Sequence, residues 1–147
     1  MPIQSKQSEI MRLTSFTDFG FRALMRMAGA PGRSFSTSEL ADEFEISRHH
    51  LSKIIQQLAA AGIIETRRGG GGGAQLALDP SDVTLGQIVR VLEAGQALVQ
   101  CFDPSDRRCT LLPGCRLRAE LSAAEAAFLL RLDQSTLADI AWRPKPE

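Results

Sequence analysis

Apolar side chains recur every three or four positions along most of the chain, a pattern that predicts a mainly helical fold. The first such stretch is capped by Thr14 or Ser15 and runs to about Gly29. Asp18 lies in its first turn, where a carboxylate suits the helix dipole, and Arg22 lies four residues further on, within reach of Asp18. The apolar positions of this first helix are Phe16, Phe19, Ala23, Leu24 and Met27.

Two short helices joined by a tight turn are predicted next. Ser36 and Glu39 form a capping-box pattern at the start of the first of them. Ser47 caps the second, which ends at Gly62 and has its buried face at Leu51, Ile54, Ile55 and Leu58. The pair predicts a helix-turn-helix, and a simple helical hairpin is the alternative.

Two segments with strand character, Ile63 to Arg67 and Ala74 to Leu78, flank the glycine run Gly69 to Gly73. Strand, glycine-rich tip and strand directly after a helix-turn-helix predict a wing. The alternative for five glycines is a slack linker, which would not need strand-like flanks.

Charge is informative only locally, because the formal net charge is zero. Between residues 46 and 73, four basic residues oppose Glu65 alone, a surplus of three positive charges. A basic surface is often only a solvated face, but together with a helix-turn-helix and a wing it predicts contact with double-stranded DNA. His49 and His50 are adjacent in a helix, so their side chains point in different directions. This favours contact with DNA over a shared metal site. The candidate DNA-binding residues are Ser38, Ser47, Arg48, His49, His50, Ser52, Lys53, Arg67 and Arg68.

The second half of the chain predicts a connecting helix, a loop and a long helix. The connecting helix starts at Val83-Thr84, is capped at Gly95 and has apolar positions Leu85, Ile88, Val89 and Leu92. Residues 116 to about 133 form the long helix, and Thr136 caps a last short turn. An apolar stripe on the long helix favours dimerisation over packing on its own domain. The stripe consists of Leu117, Leu121, Ala124, Phe128 and Leu132.

The chain of 147 residues therefore divides into five parts. Residues 1–10 are a disordered extension, 11–79 a winged helix-turn-helix domain, and 80–115 the connecting helix and cysteine loop. Residues 116–141 are the dimerisation helix and C-terminal turn, and 142–147 a tail. We find no signal peptide and no stretch near the ~20 apolar residues of a membrane helix, so we expect a cytoplasmic protein without a membrane partner.

All three cysteines lie in one loop with the spacing C-x7-C-x5-C, at Cys101, Cys109 and Cys115. They cannot all form disulfides, because one thiol is always left over. The short C-x2–4-C spacing of structural zinc sites is missing, whereas iron–sulfur clusters accept wider spacings. The alternative is three unrelated cysteines that are buried as small apolar residues.

Four features together resemble the iron–sulfur winged-helix repressors of the Rrf-two type, over residues 11 to about 141. They are the opening MRLTSFTDFGFRAL, the helix SRHHLSKIIQQLAAAG, the arginine-glycine wing, and the cysteine loop followed by RL and a long helix. The resemblance is closest to the nitric-oxide-sensing repressors. It implies a homodimer on a two-fold symmetric operator, with one cluster per subunit, [4Fe–4S] favoured over [2Fe–2S].

The same resemblance implies the ligands. Cys101, Cys109 and Cys115 match the cysteine ligands, Asp18 of the other subunit matches the fourth ligand, and Arg22 matches the arginine that orients it. The cluster-biogenesis regulators of this family carry histidine where this chain has Arg118, and iron-responsive members often carry asparagine at position 18. The implied function is a repressor that releases nitric-oxide detoxification genes when nitric oxide attacks the cluster. Five consecutive glycines at the wing tip depart from the family pattern.

Other functions compete with this one. An iron-responsive or cluster-status-responsive repressor would share most of these features. A small iron–sulfur redox protein would not need the wing or its basic surface, and a protein-interaction winged helix with an incidental zinc would be colourless. Enzymatic activity is not expected, because the chain has no nucleophile–base motif, no phosphate-binding loop with its lysine, and no H-E-x-x-H pattern.

Overall fold

Five α-helices and a two-stranded antiparallel sheet form the regular structure of the described residues, which confirms the predicted mainly helical, winged fold. The computed structural model describes residues 12–69, 72–99, 102–105, 110–111 and 114–146, so the predicted extension 1–10 lies outside them. Short 3₁₀ helices occur at Pro80–Asp82 and Leu137–Ile140. The main elements are α1 (Ser15–Ala28), α2 (Thr37–Phe44), α3 (Arg48–Ala60), β1 (Ile64–Arg67), β2 (Gly73–Leu76), α4 (Leu85–Leu92) and α5 (Arg116–Leu132).

The first three helices begin at hydroxyl caps, as their sequences predict. The side chains of Thr14, Ser36 and Ser47 each accept a hydrogen bond from the backbone N–H three residues on, at 3.0–3.3 Å. Of the two hydrogen bonds of the predicted capping box of α2, only the one from the Glu39 N–H to the Ser36 hydroxyl forms. The carboxylate of Glu39 accepts a hydrogen bond from Arg33 instead of returning to the backbone of Ser36.

The core lies where α1, α2 and α3 meet. Its leucines and isoleucines are fully buried, and each contributes about 1.5–3 kcal/mol relative to an exposed side chain. This packing fixes α3 on a rigid support and leaves its opposite face to solvent. The central residues are Leu24, Leu40, Leu51, Ile54 and Leu58, all at 0% exposure.

The wing is tied to the connection between α1 and α2. Strand β1 pairs with β2 from Ile64 opposite Leu76 to Arg67 opposite Gly73, so β1 starts one residue later than predicted and β2 ends two residues earlier. Phe35 exchanges two backbone hydrogen bonds of 2.8 Å with Ala74. A Cβ atom on Gly73 would lie 2.6 Å from the carbonyl oxygen of Phe35, so this close approach requires glycine.

Helix α4 ends at Leu92 and not at the predicted cap, Gly95. The N–H of Glu93 still bonds to the carbonyl of Val89 at 2.8 Å, but the Glu93 carboxylate turns back towards Thr14. This long-range hydrogen bond connects the residue after α4 to the start of α1, and Gly95 follows with a positive φ of 85°.

The C-terminal residues return to the first helix. Leu137 is fully buried, and its N–H bonds to the carbonyl of Val83 at 3.0 Å. Trp142, in the predicted tail, donates its backbone N–H to the carbonyl of Met25 at 3.1 Å, and its ring lies 5.0 Å from the guanidinium of Arg26. The segment up to Trp142 therefore packs on α1.

Candidate nucleic-acid interface and cluster loop

The outer face of α3 presents polar and basic side chains to solvent. Arg48, His49 and Lys53 are exposed, and Ser52 is half-buried. Ser47 is exposed at the start of the helix, where its hydroxyl caps α3. The N-terminal end of a recognition helix is the part that meets base edges in a major groove. The arrangement therefore suits DNA, and the contacts of these residues remain predictions.

His50 faces α1 more than solvent. It is half-buried, and its ring centroid lies 6.1 Å from that of Phe16 and 6.0 Å from that of Phe19. Its neighbour His49 is exposed, so the two imidazoles occupy different surroundings. This contact gives His50 a packing role that the sequence pattern does not indicate, beside its predicted contact with DNA.

The wing carries its basic residues at the outer end. Arg67 closes β1 opposite Gly73, and both Arg67 and Arg68 are exposed. Glu65, the one acidic residue of this region, accepts a hydrogen bond of 2.6 Å from Gln75 across the strands. The wing therefore presents two guanidinium groups that are suited to phosphates or a narrow minor groove.

Two further polar residues are candidates for contact with DNA. Ser38, in the first turn of α2, is half-buried. Gln56, one turn beyond Ser52 on α3, is exposed and lies on the outward side of the helix. Sequence reasoning missed Gln56 because it carries no charge, although its amide can both donate to and accept from a base edge.

Asp18 and Arg22 form a bidentate pair on the outside of α1. Nε of Arg22 lies 3.1 Å from Oδ1 of Asp18, and Nη2 lies 3.1 Å from Oδ2. The guanidinium also lies 4.9 Å from the ring centroid of Phe19. The predicted pairing is confirmed, and the Asp18 side chain remains 52% exposed. The carboxylate is thus held in place and is accessible to a second molecule.

The cysteine loop leads directly into α5. Cys115 is a half-buried free thiol at the N-cap of α5, a helix end that favours a negatively charged group. Cys101 and Cys109 lie outside the described residues. The guanidinium carbon of Arg118 in α5 lies 5.6 Å from the centroid of the Phe102 ring, and this contact joins the two ends of the loop. Thiolates are the usual ligands of iron–sulfur clusters, and Cys115 is one such donor. Within the described residues, no three His, Cys, Asp or Glu side chains form a metal-binding group, so the ligand set remains a prediction.

Helix α5 leaves an apolar face uncovered. None of its residues, all of which the structure describes, is buried, and Leu117 and Phe128 of the predicted stripe are 64% and 37% exposed. Ala124 is exposed as well, whereas Leu121 and Leu132 are half-buried. The stripe keeps the surface that a partner helix would cover.

The other side of α5 packs on α4. Both Nη atoms of Arg90 lie 2.8 Å from the two carboxylate oxygens of Asp133, and the hydroxyl of Thr84 donates to Asp133 Oδ1 at 3.1 Å. A Cβ atom on Gly86 would lie 1.9 Å from Asp133 Oδ1 and 2.9 Å from the carbonyl of Leu129. Glycine at position 86 therefore permits the close contact that fixes the direction of α5.

Comparison with known families decides the class of this protein. The family profile of Rrf2, described as an iron-dependent transcriptional regulator, matches residues 13–143. The chain belongs to the Rrf2 family. Rrf2 members are dimeric, DNA-binding transcriptional regulators and not enzymes, so the expected absence of enzymatic activity is confirmed and the redox-protein and zinc-module alternatives lose their support.

Solved Rrf2 structures share the fold over nearly the whole chain. CymR, the global cysteine regulator of B. subtilis, is 26% identical with a TM-score of 0.70, over 90% of this chain and 97% of its own. IscR of T. potens is 23% identical with a TM-score of 0.70, over 92% and 94%. CymR of Staphylococcus aureus is 22% identical with a TM-score of 0.67, over 90% and 100%. Among the described residues, no helix has the length and apolar character needed to span a bilayer.

Proposed function

We propose that this Rrf2 regulator is a repressor of the NsrR type, which responds to nitrosative stress. As a homodimer it binds a two-fold symmetric operator through α3 and the wing, and it releases promoters of nitric-oxide detoxification genes when nitric oxide is present. Because its target is chromosomal DNA, it acts in the cytoplasm. The observation that carries the proposal is the exposed Asp18–Arg22 pair, a preorganised carboxylate on the helix that supports α3.

The residues proposed to hold an iron–sulfur cluster are Cys101, Cys109 and Cys115 of one subunit and Asp18 of the other. A [4Fe–4S] cluster is favoured over [2Fe–2S]. When bound, the cluster supplies iron atoms with which nitric oxide reacts. Arg22 orients the Asp18 carboxylate through two charge-assisted hydrogen bonds. An oxygen ligand is displaced more easily than a thiolate, so Asp18 is the ligand at which the contact between subunits would open.

Helix α1 connects this contact to the DNA-reading surface. His50 of α3 lies against Phe16 and Phe19, which flank Asp18 on α1. Release of Asp18 from the partner subunit would free α1 to move. Helix α3 could then change its position relative to α3 of the partner subunit. The ligand at the loop and the DNA at α3 would then act on the same conformational equilibrium of the dimer. The coupling between the two sites is therefore allosteric.

An iron-responsive repressor is the second candidate function. The description of the matching family profile as an iron-dependent regulator favours it. It uses the same DNA-binding surface and cysteine loop but differs in the signal. Aspartate at position 18, where iron-responsive members often carry asparagine, favours nitric oxide.

The test uses protein purified without air. The visible absorption of the cluster is recorded during a titration with nitric oxide, and binding to a two-fold symmetric promoter fragment is followed in parallel. We expect the absorption band to bleach as DNA is released, at matching stoichiometry. DNA binding that ignores nitric oxide but follows iron supply would replace the proposal with the iron-responsive function. Colourless protein after anaerobic reconstitution with iron and sulfide would overturn both.

A further inference from the structure

The end of α4 is bonded to two other helices of the same subunit. The side-chain amide of Gln57, in α3, donates a hydrogen bond to the carbonyl oxygen of Val91. The carboxylate of Glu93, directly after α4, accepts hydrogen bonds from the backbone N–H of Thr14 at 2.7 Å and from its hydroxyl at 3.0 Å. Gln57 thus satisfies one of the free carbonyls at the end of α4, and Glu93 holds the residue that caps α1.

Close packing makes this junction stiff. Leu92, the last residue of α4, is buried, and its Cδ1 lies 2.5 Å from the place that a Cβ atom on Gly20 would occupy. Helix α4 can approach α1 this closely because residue 20 is glycine. Close-packed contacts of this kind transmit displacement and do not absorb it. A shift at the end of α4 therefore acts on α1 and α3 together.

The junction lies at the start of the cysteine loop. Glu93 is the C-cap residue of α4, and the chain continues from it into the loop that contains the cysteines. At its N-terminal end, the loop is joined to the rest of the subunit through this residue and its neighbour Leu92. Neither Gln57 nor Glu93 belongs to the proposed ligand set or to the candidate DNA-binding residues.

We propose that Gln57 and Glu93 are positioning residues that couple the cysteine loop to the DNA-reading helix within one subunit, an inference that rests on the proposed function. Gln57 joins the loop end of α4 to α3, and Glu93 joins it to α1. Helix α1 also carries Asp18, the residue assigned to the loop of the other subunit. Each α1 is therefore connected to both loops of the dimer, to its own through Glu93 and to the other through Asp18.

The test compares DNA affinity with and without the cluster. The operator fragment is selected from random DNA by the loaded wild-type dimer, and dissociation constants are measured anaerobically for loaded and cluster-free protein. The ratio compared is the dissociation constant of cluster-free protein divided by that of loaded protein. In Gln57→Leu we expect an unchanged visible spectrum and a fall of about two- to tenfold in this ratio, the range for one hydrogen bond. A residue with a merely structural role would change both constants by the same factor and leave the ratio intact.

Two variants serve as controls, and a third repeats the test at Glu93. Gln96→Leu makes the same chemical change at an exposed residue just after α4 and should keep the wild-type ratio. Glu93→Gln retains an acceptor oxygen for Thr14 and should also keep it. Glu93→Ala removes the acceptor and should lower the ratio, which provides a second route to the result if Gln57→Leu does not fold.

Two failures can be told apart. If the wild type binds DNA in a cluster-dependent way and both Gln57→Leu and Glu93→Ala keep its ratio, the coupling role is wrong and the proposed function stands. If the wild type binds DNA equally well with and without the cluster, the proposed function is wrong, and the coupling role falls with it.

Discussion

Arg48 occupies the first position of α3 and is exposed, which makes it the basic residue best placed to reach a base edge. We expect Arg48→Ala to weaken operator binding by about 1–3 kcal/mol and to relax selectivity at one base pair. Fluorescence anisotropy at fixed salt would measure both effects, with the cluster spectrum unchanged. Lys53→Ala is the comparison: a phosphate contact would weaken binding to all sequences alike. Undiminished operator affinity in Arg48→Ala would mean that another face reads the DNA.

Asp133 provides a pH-dependent contribution to stability. Hydrogen bonds from Arg90 hold the pKa of the Asp133 carboxyl below its ordinary value of 3.8. A carboxyl whose pKa is lowered by folding stabilises the protein above its unfolded pKa, and this contribution is lost as the pH falls through the folded pKa. We therefore expect Asp133→Asn to lower the melting temperature at neutral pH, with a difference from wild type that narrows below about pH 4.

Melting curves between pH 7 and pH 3 would test this prediction. Asp42→Asn, at an exposed position of α2, is the matched control and should show a smaller difference throughout. A difference for Asp133→Asn that is constant across the series would assign its effect to lost packing beside Gly86 and not to charge.

Among the elements, those that depend on local signals could be predicted from the sequence. The three hydroxyl caps, the helices of the helix-turn-helix, the wing and the pairing of Asp18 with Arg22 all follow from spacing within a few residues. The contacts that join elements could not be predicted in this way. The Glu93–Thr14 hydrogen bonds connect residues 79 positions apart, and no local pattern marks them.

The same distinction explains the corrections. Glu39 bonds to Arg33 because the chain before α2 brings that guanidinium within reach, which the capping-box pattern does not consider. Helix α4 ends at Leu92, and the side chain of its C-cap residue, Glu93, bonds to Thr14, a long-range contact that the glycine signal does not consider. Of the candidate site, the exposure of the α3 and wing residues follows from amphipathic spacing. The proposed contact of Asp18 with the partner's loop comes from the family resemblance, because no spacing within one chain marks a ligand that a second subunit supplies.

The short 3₁₀ helix at Leu137–Ile140 contributes to the core in spite of its position near the C-terminus. Leu137 is fully buried and pairs through its backbone with Val83. We expect Leu137→Ala to cost about 2–5 kcal/mol in the free energy of unfolding, as for other buried leucines. Urea denaturation at one fixed protein concentration would measure it, because dimerisation contributes to stability.

Leu130→Ala is the control for Leu137→Ala, since Leu130 is 62% exposed and lies off the apolar stripe. A surface substitution of this kind should cost less than about 0.5 kcal/mol. Equal losses in the two variants would place Leu137 outside the cooperative core.

For the whole molecule, the uncovered face of α5 is proposed to be the dimer interface. Phe128→Asp puts a charge on the apolar stripe, and we expect it to give a monomer in light scattering. Operator affinity should fall about a hundredfold or more, because the linkage between the two DNA-binding surfaces of the dimer is lost. Circular dichroism would verify that the variant is folded. Ala123→Asp adds the same charge on an exposed position off the stripe and should remain dimeric. A dimeric Phe128→Asp would require a different interface.

Trp142 gives this protein a natural optical reporter. The chain contains one tryptophan and no tyrosine, so its ultraviolet-excited emission comes from a single indole. That ring lies against Arg26, whose guanidinium also contacts Glu43 of α2 at 2.8 Å and lies 5.3 Å from the ring of Phe35 beside the wing. Movement among α1, α2 and the wing would therefore alter the surroundings of the Trp142 indole. Fluorescence can thus follow movement among these elements in unlabelled protein and in real time.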